Sequence, residues 1–121
     1  MSRDPRERAR LRYIRQSIAR IEQYTRGGRE AFLSEPIVQD AVLRRLETLT
    51  DAIGKLSASL KARHPTIPWR QVYGFRNVAA HAYEEFNLSR VWEIVADYVP
   101  VLKSVVDREL GANEIGDTPH A

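Results

Sequence analysis

Cysteine is absent from these 121 residues, which excludes thiolate nucleophiles, cysteine-ligated zinc and disulfide frameworks together. Long apolar runs are missing too: none approaches the roughly 18 to 20 residues that span a bilayer. The opening Met1-Ser2-Arg3-Asp4-Pro5-Arg6 runs straight into charge without an apolar signal core. A soluble, cytoplasmic protein with no membrane attachment is expected. Histidine is scarce, with only His64, His81 and His120. None stands beside a second histidine or a carboxylate at helical spacing with a third ligand in view, so no metal and no other cofactor is expected. Internal repeats, low-complexity tracts and the period-two alternation of strands are lacking as well.

Arginine and aliphatic residues are plentiful. At 43% hydrophobic the chain can fill one core unaided. The formal charge is only +3, but residues 1–30 hold nine Arg against four acids, whereas the remainder holds ten cations against twelve. Sixteen of the nineteen cations are Arg, whose planar fork suits phosphate oxygens and mildly favours a nucleic-acid partner. Arg-rich helix faces are also common as plain solvated surface.

Asp4-Pro5-Arg6-Glu7 spells a helix start, with Asp as cap, Pro at the first position and Glu placed to close a capping box. Leu11, Ile14, Ile18 and Ile21 form its stripe, and Gly27-Gly28 ends it. Ala31-Phe32-Leu33 is a short apolar knot. A long second helix is expected from Pro36 to about residue 63, striped by Val38, Val42, Leu46, Leu49, Ile53, Leu56 and Leu60, with Gly54 as a tolerated weak point. Pro68-Trp69-Arg70-Gln71 opens a third, carrying Val72, Tyr73, Phe75 and Ala79 toward His81. After a loop and cap at Asn87, Val91 to Leu110 forms the fourth, with a kink expected at Pro100 and a stop at Gly111. The pattern predicts an all-α, up-and-down four-helix bundle with short additional turns: one domain over residues 1–112 and a flexible tail over 113–121.

Polar chemistry concentrates at the end of the third helix, where Arg76, Asn77, His81 and Tyr83 lie among Phe75, Val78, Ala79 and Ala80. Five residues of ideal helix separate Arg76 from His81 by about 140° and about 7.5 Å along the axis, so a regular helix cannot pair them. Either the backbone turns near Ala80, or two copies of the segment meet across a dimer axis. A purely structural alternative pairs Arg76 with an acid of another helix, lets His81 cap the helix end, and packs Tyr83 with its hydroxyl at the surface.

Ile67-Pro68-Trp69-Arg70, Gly74-Phe75-Arg76-Asn77, His81-Ala82-Tyr83 and Val91-Trp92-Glu93-Ile94-Val95 closely resemble the HepT-like branch of the HEPN superfamily, whose hallmark is R-x-x-x-x-H-x-Y. The resemblance continues upstream through Phe32-Leu33-Ser34-Glu35-Pro36, Gln39-Asp40-Ala41-Val42 and Arg45-Leu46-Glu47, and covers the chain from about Tyr13 to Leu110. One departure is visible. Where the family often has an Ile-Gly-Glu-Ala-like stretch, this chain reads Leu49-Thr50-Asp51-Ala52-Ile53, which keeps a carboxylate one methylene shorter and loosens its grip if it holds a motif residue.

The resemblance implies a metal-independent endoribonuclease that works as a homodimer. It further implies the toxin of a type VII-like toxin-antitoxin pair, silenced when an MNT-type nucleotidyltransferase antitoxin transfers AMP to the motif tyrosine, here Tyr83. The catalytic residues by carry-over are Arg76, His81 and Asn77. Metal-free cleavage of RNA needs a base for the 2′-hydroxyl, a cation for the developing phosphorane charge and an acid for the leaving oxygen. Imidazole serves either proton role, guanidinium binds phosphate in bidentate fashion, and Asn77 can orient the phosphate or the ring. AMP on Tyr83 would block the substrate by bulk and charge. The alternatives are a non-cleaving nucleotide- or partner-binding HEPN module associated with a nucleotidyltransferase, and a plain interaction bundle without a ligand.

Overall fold

The computed structural model describes residues 2–117, with side-chain environments through Gly111. Helix α1 (Pro5–Tyr24) begins as the sequence suggests: the Asp4 carboxylate accepts from the Arg6 N–H at 2.9 Å, and Pro5 stands at the first position. The capping box, however, does not close. Glu7 is buried and accepts instead from the Ser57 N–H at 2.6 Å and from the hydroxyls of Ser57 and Ser2, each at 3.0 Å. Two donors from Ser57 and one from Ser2 take the place of the backbone N–H at its own helix end, so this carboxylate joins two parts of the fold.

The apolar knot is itself a helix, α2 (Gly28–Ser34), entered through Gly28 at φ 86° and anchored by fully buried Phe32. Its last turn is tied down by Gln39, whose amide donates to the Phe32 carbonyl at 2.9 Å. The long second helix divides into α3 (Pro36–Gly54) and α4 (Ala58–Ala62), the latter capped by Ser57 accepting from the Leu60 N–H. Gly54 is therefore the last residue of α3 rather than a tolerated weak point inside a longer helix, and its lack of a side chain has a steric use. A Cβ there would stand 2.4 Å from the Tyr73 ring, so the glycine admits that ring at close approach. The Trp69 indole N–H, shared between the carbonyls of Lys61 and His64, joins α4 to α5 (Trp69–Ala80).

Helix α6 (Leu88–Glu93) runs through a π-helical turn, Ile94–Tyr98, into α7 (Val99–Asp117). The irregularity expected at Pro100 takes the form of this widened turn just upstream, where the Val99 N–H reaches the Ile94 carbonyl. A proline lacks an N–H and crowds the carbonyl four residues earlier, and a π-turn relieves both constraints without ending the helix. The helix stops at Gly111 (φ 81°, ψ 169°) as expected, and a second helical stretch carries the backbone on through Asp117. Residues 118–121 of the expected tail lie outside the described residues.

Helix α3 packs between α1 and α5, and α7 lies against α1. Leu11, Ile14 and Ile18 of α1, Val42, Leu46 and Leu49 of α3, Val72 and Phe75 of α5, and Leu102 and Val106 of α7 meet in one core. The all-α bundle inferred from the stripes is therefore the fold. At one end Glu109, only 1% exposed, receives the Arg63 guanidinium through two hydrogen bonds of 2.7 and 3.1 Å and stands 2.6 Å from His64 Nε2. Burial pushes this carboxyl up, but its bonds to Arg63 and His64 outweigh that and hold it at about 2. His64 thus belongs to a structural clamp between α4 and α7.

Candidate functional site

Helix α5 ends at Ala80, and His81 leaves it at φ −112°, ψ 14°, its N–H still donating to the Asn77 carbonyl at 3.1 Å. The next residues form one closed turn. Asn87 N–H reaches the Ala82 carbonyl at 2.8 Å and Phe86 N–H reaches Tyr83 at 3.3 Å, with Phe86 in the left-handed region at φ 53°. This is a Schellman closure with an aromatic residue where glycine ordinarily sits. Buried Ala82 anchors the turn, so His81 and Tyr83 on either side of it project outward.

The backbone does turn after Ala80, as one of the two sequence alternatives requires, yet it does not bring Arg76 and His81 together. Arg76 Nε stands 3.7 Å from an Asp51 oxygen, and His81 Nδ1 stands 3.3 Å from Glu84. Both side chains are about half exposed, at 51% each. Asn77 is exposed on the same stretch. The Tyr83 hydroxyl does not face water freely: it donates to Asp40 of α3. Burial of the phenol, then the hydrogen bond to Asp40 and that carboxylate's charge, push Tyr83 up to about 12.

Two motif residues therefore rest on acids of one α3 face. Asp40 and Asp51 are eleven residues apart, roughly 16 Å along a helix, and they receive Tyr83 and Arg76 respectively. Asp51 is the shortened carboxylate noted in the sequence, and its 3.7 Å separation from Arg76 is an ion pair without a close hydrogen bond. Asp40 was given no role from sequence. The available signal was the polar stripe Asp40, Arg44, Glu47, Thr48 and Asp51, opposite the buried stripe of α3. These contacts also match the purely structural alternative in part, since Arg76 pairs with another helix and His81 occupies the helix end. Among the described residues no three His, Asp or Glu side chains gather as a metal site, and no helix is long and apolar enough to cross a membrane.

A groove of about 590 Å³ runs over α3, with Arg10 and Tyr13 of α1 on one side, Arg76 of α5 on the other, and Arg44, Thr48 and Asp51 along α3. Arg76 thus faces a concave, predominantly cationic surface.

The profile described as ribonuclease HepT-like matches residues 14–109. The "Probable ribonuclease HepT" of Thermococcus cleftensis is 33% identical over 99 residues, covering 81% of this chain and 90% of that protein. The "Gamma-glutamylcyclotransferase and putative RNase" of Methanocaldococcus jannaschii is 33% identical over 97 residues, covering 79% of this chain and 44% of that longer protein. A "Putative RNase" of Caldanaerobacter subterraneus is 29% identical over 77 residues, 64% of this chain and 69% of that one. No solved structure matches the chain.

Proposed function

The chain belongs to the ribonuclease HepT-like family of the HEPN superfamily, and from that premise we propose that it is a metal-independent endoribonuclease using Arg76, His81 and Asn77. The observation that carries the reading is the placement of Arg76 and His81 at the end of α5. Both are outside the core and half open to solvent, and Arg76 faces the groove.

His81 takes the proton of the 2′-hydroxyl, and the freed oxygen attacks the adjacent phosphorus. The bond from phosphorus to the 5′-oxygen breaks, and that oxygen takes the proton that the same imidazole has just accepted. The products are a 2′,3′-cyclic phosphate and a 5′-hydroxyl. Arg76, released from its weak contact with Asp51, binds the non-bridging oxygens as charge develops, and Asn77 orients the phosphate.

The working unit is a homodimer with the site at its interface. Separate partners for Arg76 and His81 within one chain support this, as do the two large apolar side chains most exposed among the described residues. Ile37 is 84% exposed and Phe86 93% exposed. Ile37 stands three residues before Asp40 and Phe86 three after Tyr83, so the apolar pair is close in the chain to the two partners of the tyrosine contact. An exposed aromatic held at positive φ is strained, and such strain persists where another contact offsets it.

The biological role is that of a toxin neutralised by an MNT-type nucleotidyltransferase. The Tyr83 oxygen attacks the α-phosphorus of ATP carried by that partner, pyrophosphate leaves, and the phenolic proton passes to Asp40. The non-cleaving partner-binding reading is favoured by the ion pairs that occupy Arg76 and His81. Incubating purified protein with RNA in EDTA separates the two. Cleavage leaving cyclic phosphate ends, abolished by Arg76→Ala and by His81→Ala with helicity retained, is expected. Activity restored only by magnesium refutes the metal-independent mechanism.

A further inference from the structure

The groove over α3 is larger than the motif residues need. Its volume of about 590 Å³ falls in the range of roughly 300 to 1,000 Å³ of small-ligand sites. Of the motif residues only Arg76 lines it. Four cations border it, Arg10, Arg44, Lys55 and Arg76, against two acids, Glu47 and Asp51. Asp51 is shared by Lys55 and Arg76, at 3.5 and 3.7 Å. Among the described residues neither Arg10 nor Arg44 has a salt bridge. These two arginines line the groove from α1 and α3 together with Tyr13, a tyrosine 39% exposed, and with small Ala9 and Ala52.

We infer that this groove is a nucleotide subsite of the substrate strand, holding the residue next to the cleaved phosphate. Arg10 and Arg44 each grip one of the two backbone phosphates flanking that nucleotide, and the Tyr13 ring stacks on its base. The inference rests on the ribonuclease reading for the identity of the strand. Its own support is the grouping of two uncommitted guanidinium groups with an exposed aromatic ring in one concavity. A single strand splays bases that such a ring can stack on, whereas a duplex hides them. The α3 face adds continuity: Arg44 lies one turn from Asp40, the partner of Tyr83, and two turns from Asp51, the partner of Arg76. A strand lying along α3 therefore passes both motif side chains.

The test is fluorescence anisotropy of the full chain with a labelled, single-stranded RNA made uncleavable by 2′-O-methyl groups, titrated at several KCl concentrations. Arg10→Ala/Arg44→Ala should weaken binding at least tenfold, and the slope of log affinity against log salt should fall by about 1.4, two phosphate contacts at about 0.7 each. Tyr13→Ala should weaken binding at least fivefold with the slope unchanged, because stacking is not a counterion effect. Arg70→Ala/Arg108→Ala removes the same charge from exposed positions outside the groove and should stay within twofold of the wild type.

Equal losses in the two double variants overturn the subsite, since net charge alone would then explain binding. Full displacement of the strand by micromolar ATP, with the Tyr13 variant unchanged, overturns it in favour of a free mononucleotide site. Because the probe cannot be cleaved, the two readings fail separately. Strand binding through Arg10 and Arg44 in a protein that cuts nothing sinks the ribonuclease reading alone, whereas an active nuclease indifferent to these arginines sinks the subsite alone.

Discussion

Tyr83 shows how one contact sets a side chain's chemistry. Its hydroxyl donates to Asp40, and burial together with that carboxylate raises its pKa to about 12, so at neutral pH the phenol is neutral and a poor nucleophile by itself. Two consequences of Asp40→Asn have opposite sign. Removing the anion lowers the tyrosine's pKa and favours phenolate, but it also removes the group placed to accept the proton. General-base assistance contributes roughly 10² to 10⁴ in rate, more than the gain in phenolate offsets if Asp40 is the acceptor. With the nucleotidyltransferase partner and ATP, Asp40→Asn should slow AMP transfer at least about tenfold, and Tyr83→Phe should abolish it, as read by intact-mass spectrometry. Faster transfer in Asp40→Asn would mean that the carboxylate restrains the tyrosine instead. The motif tyrosine was legible in the sequence, but its acid was not. Asp40 is 43 residues upstream of Tyr83, and only the packing of α3 against α5 brings them together.

At the scale of elements, apolar periodicity carried the helices because burial on one face of a 3.6-residue repeat leaves a regular trace. What it missed were breaks decided by tertiary contact. The break between α3 and α4 follows Gly54, where the Tyr73 ring lies too close to admit a Cβ, and the π-turn stands just upstream of Pro100. Glu7 reads in sequence as a capping-box acid and Glu109 carries no signal there, yet both are buried and join distant elements. For Glu109 the sign of the pH effect follows from its depressed value. The clamp on Arg63 and His64 contributes fully above the ordinary carboxyl value of 4.5 and is lost as pH falls toward about 2. Thermal melts should therefore show a drop in stability between those values. Glu109→Gln should cost about 2 kcal/mol near neutrality, the scale of a hydrogen bond to a charged group, and should flatten that acid limb. A variant with an unchanged acid limb would place the sensitivity elsewhere in the bundle.

At the scale of the whole molecule, one chain supplies a rigid bundle and an open polar helix end, but it does not converge its own Arg76 and His81. The first is held on α3 and the second on Glu84. Ile37 and Phe86 lie exposed, close in the chain to the Tyr83 and Asp40 contact, and a two-fold pairing through that face would set one chain's His81 against the other's Arg76. The sequence carried the dilemma, since a regular helix keeps the two side chains apart, but it could not choose between a backbone turn and a second copy. The turn is present and insufficient. The most direct measurement is complementation: unfold Arg76→Ala and His81→Ala protein together, refold them as a mixture, and assay RNA cleavage. Random pairing makes half the dimers mixed, each with one of its two sites intact, so activity should return to about a quarter of the wild type. A mixture as inactive as either variant alone would contradict a site shared between two chains.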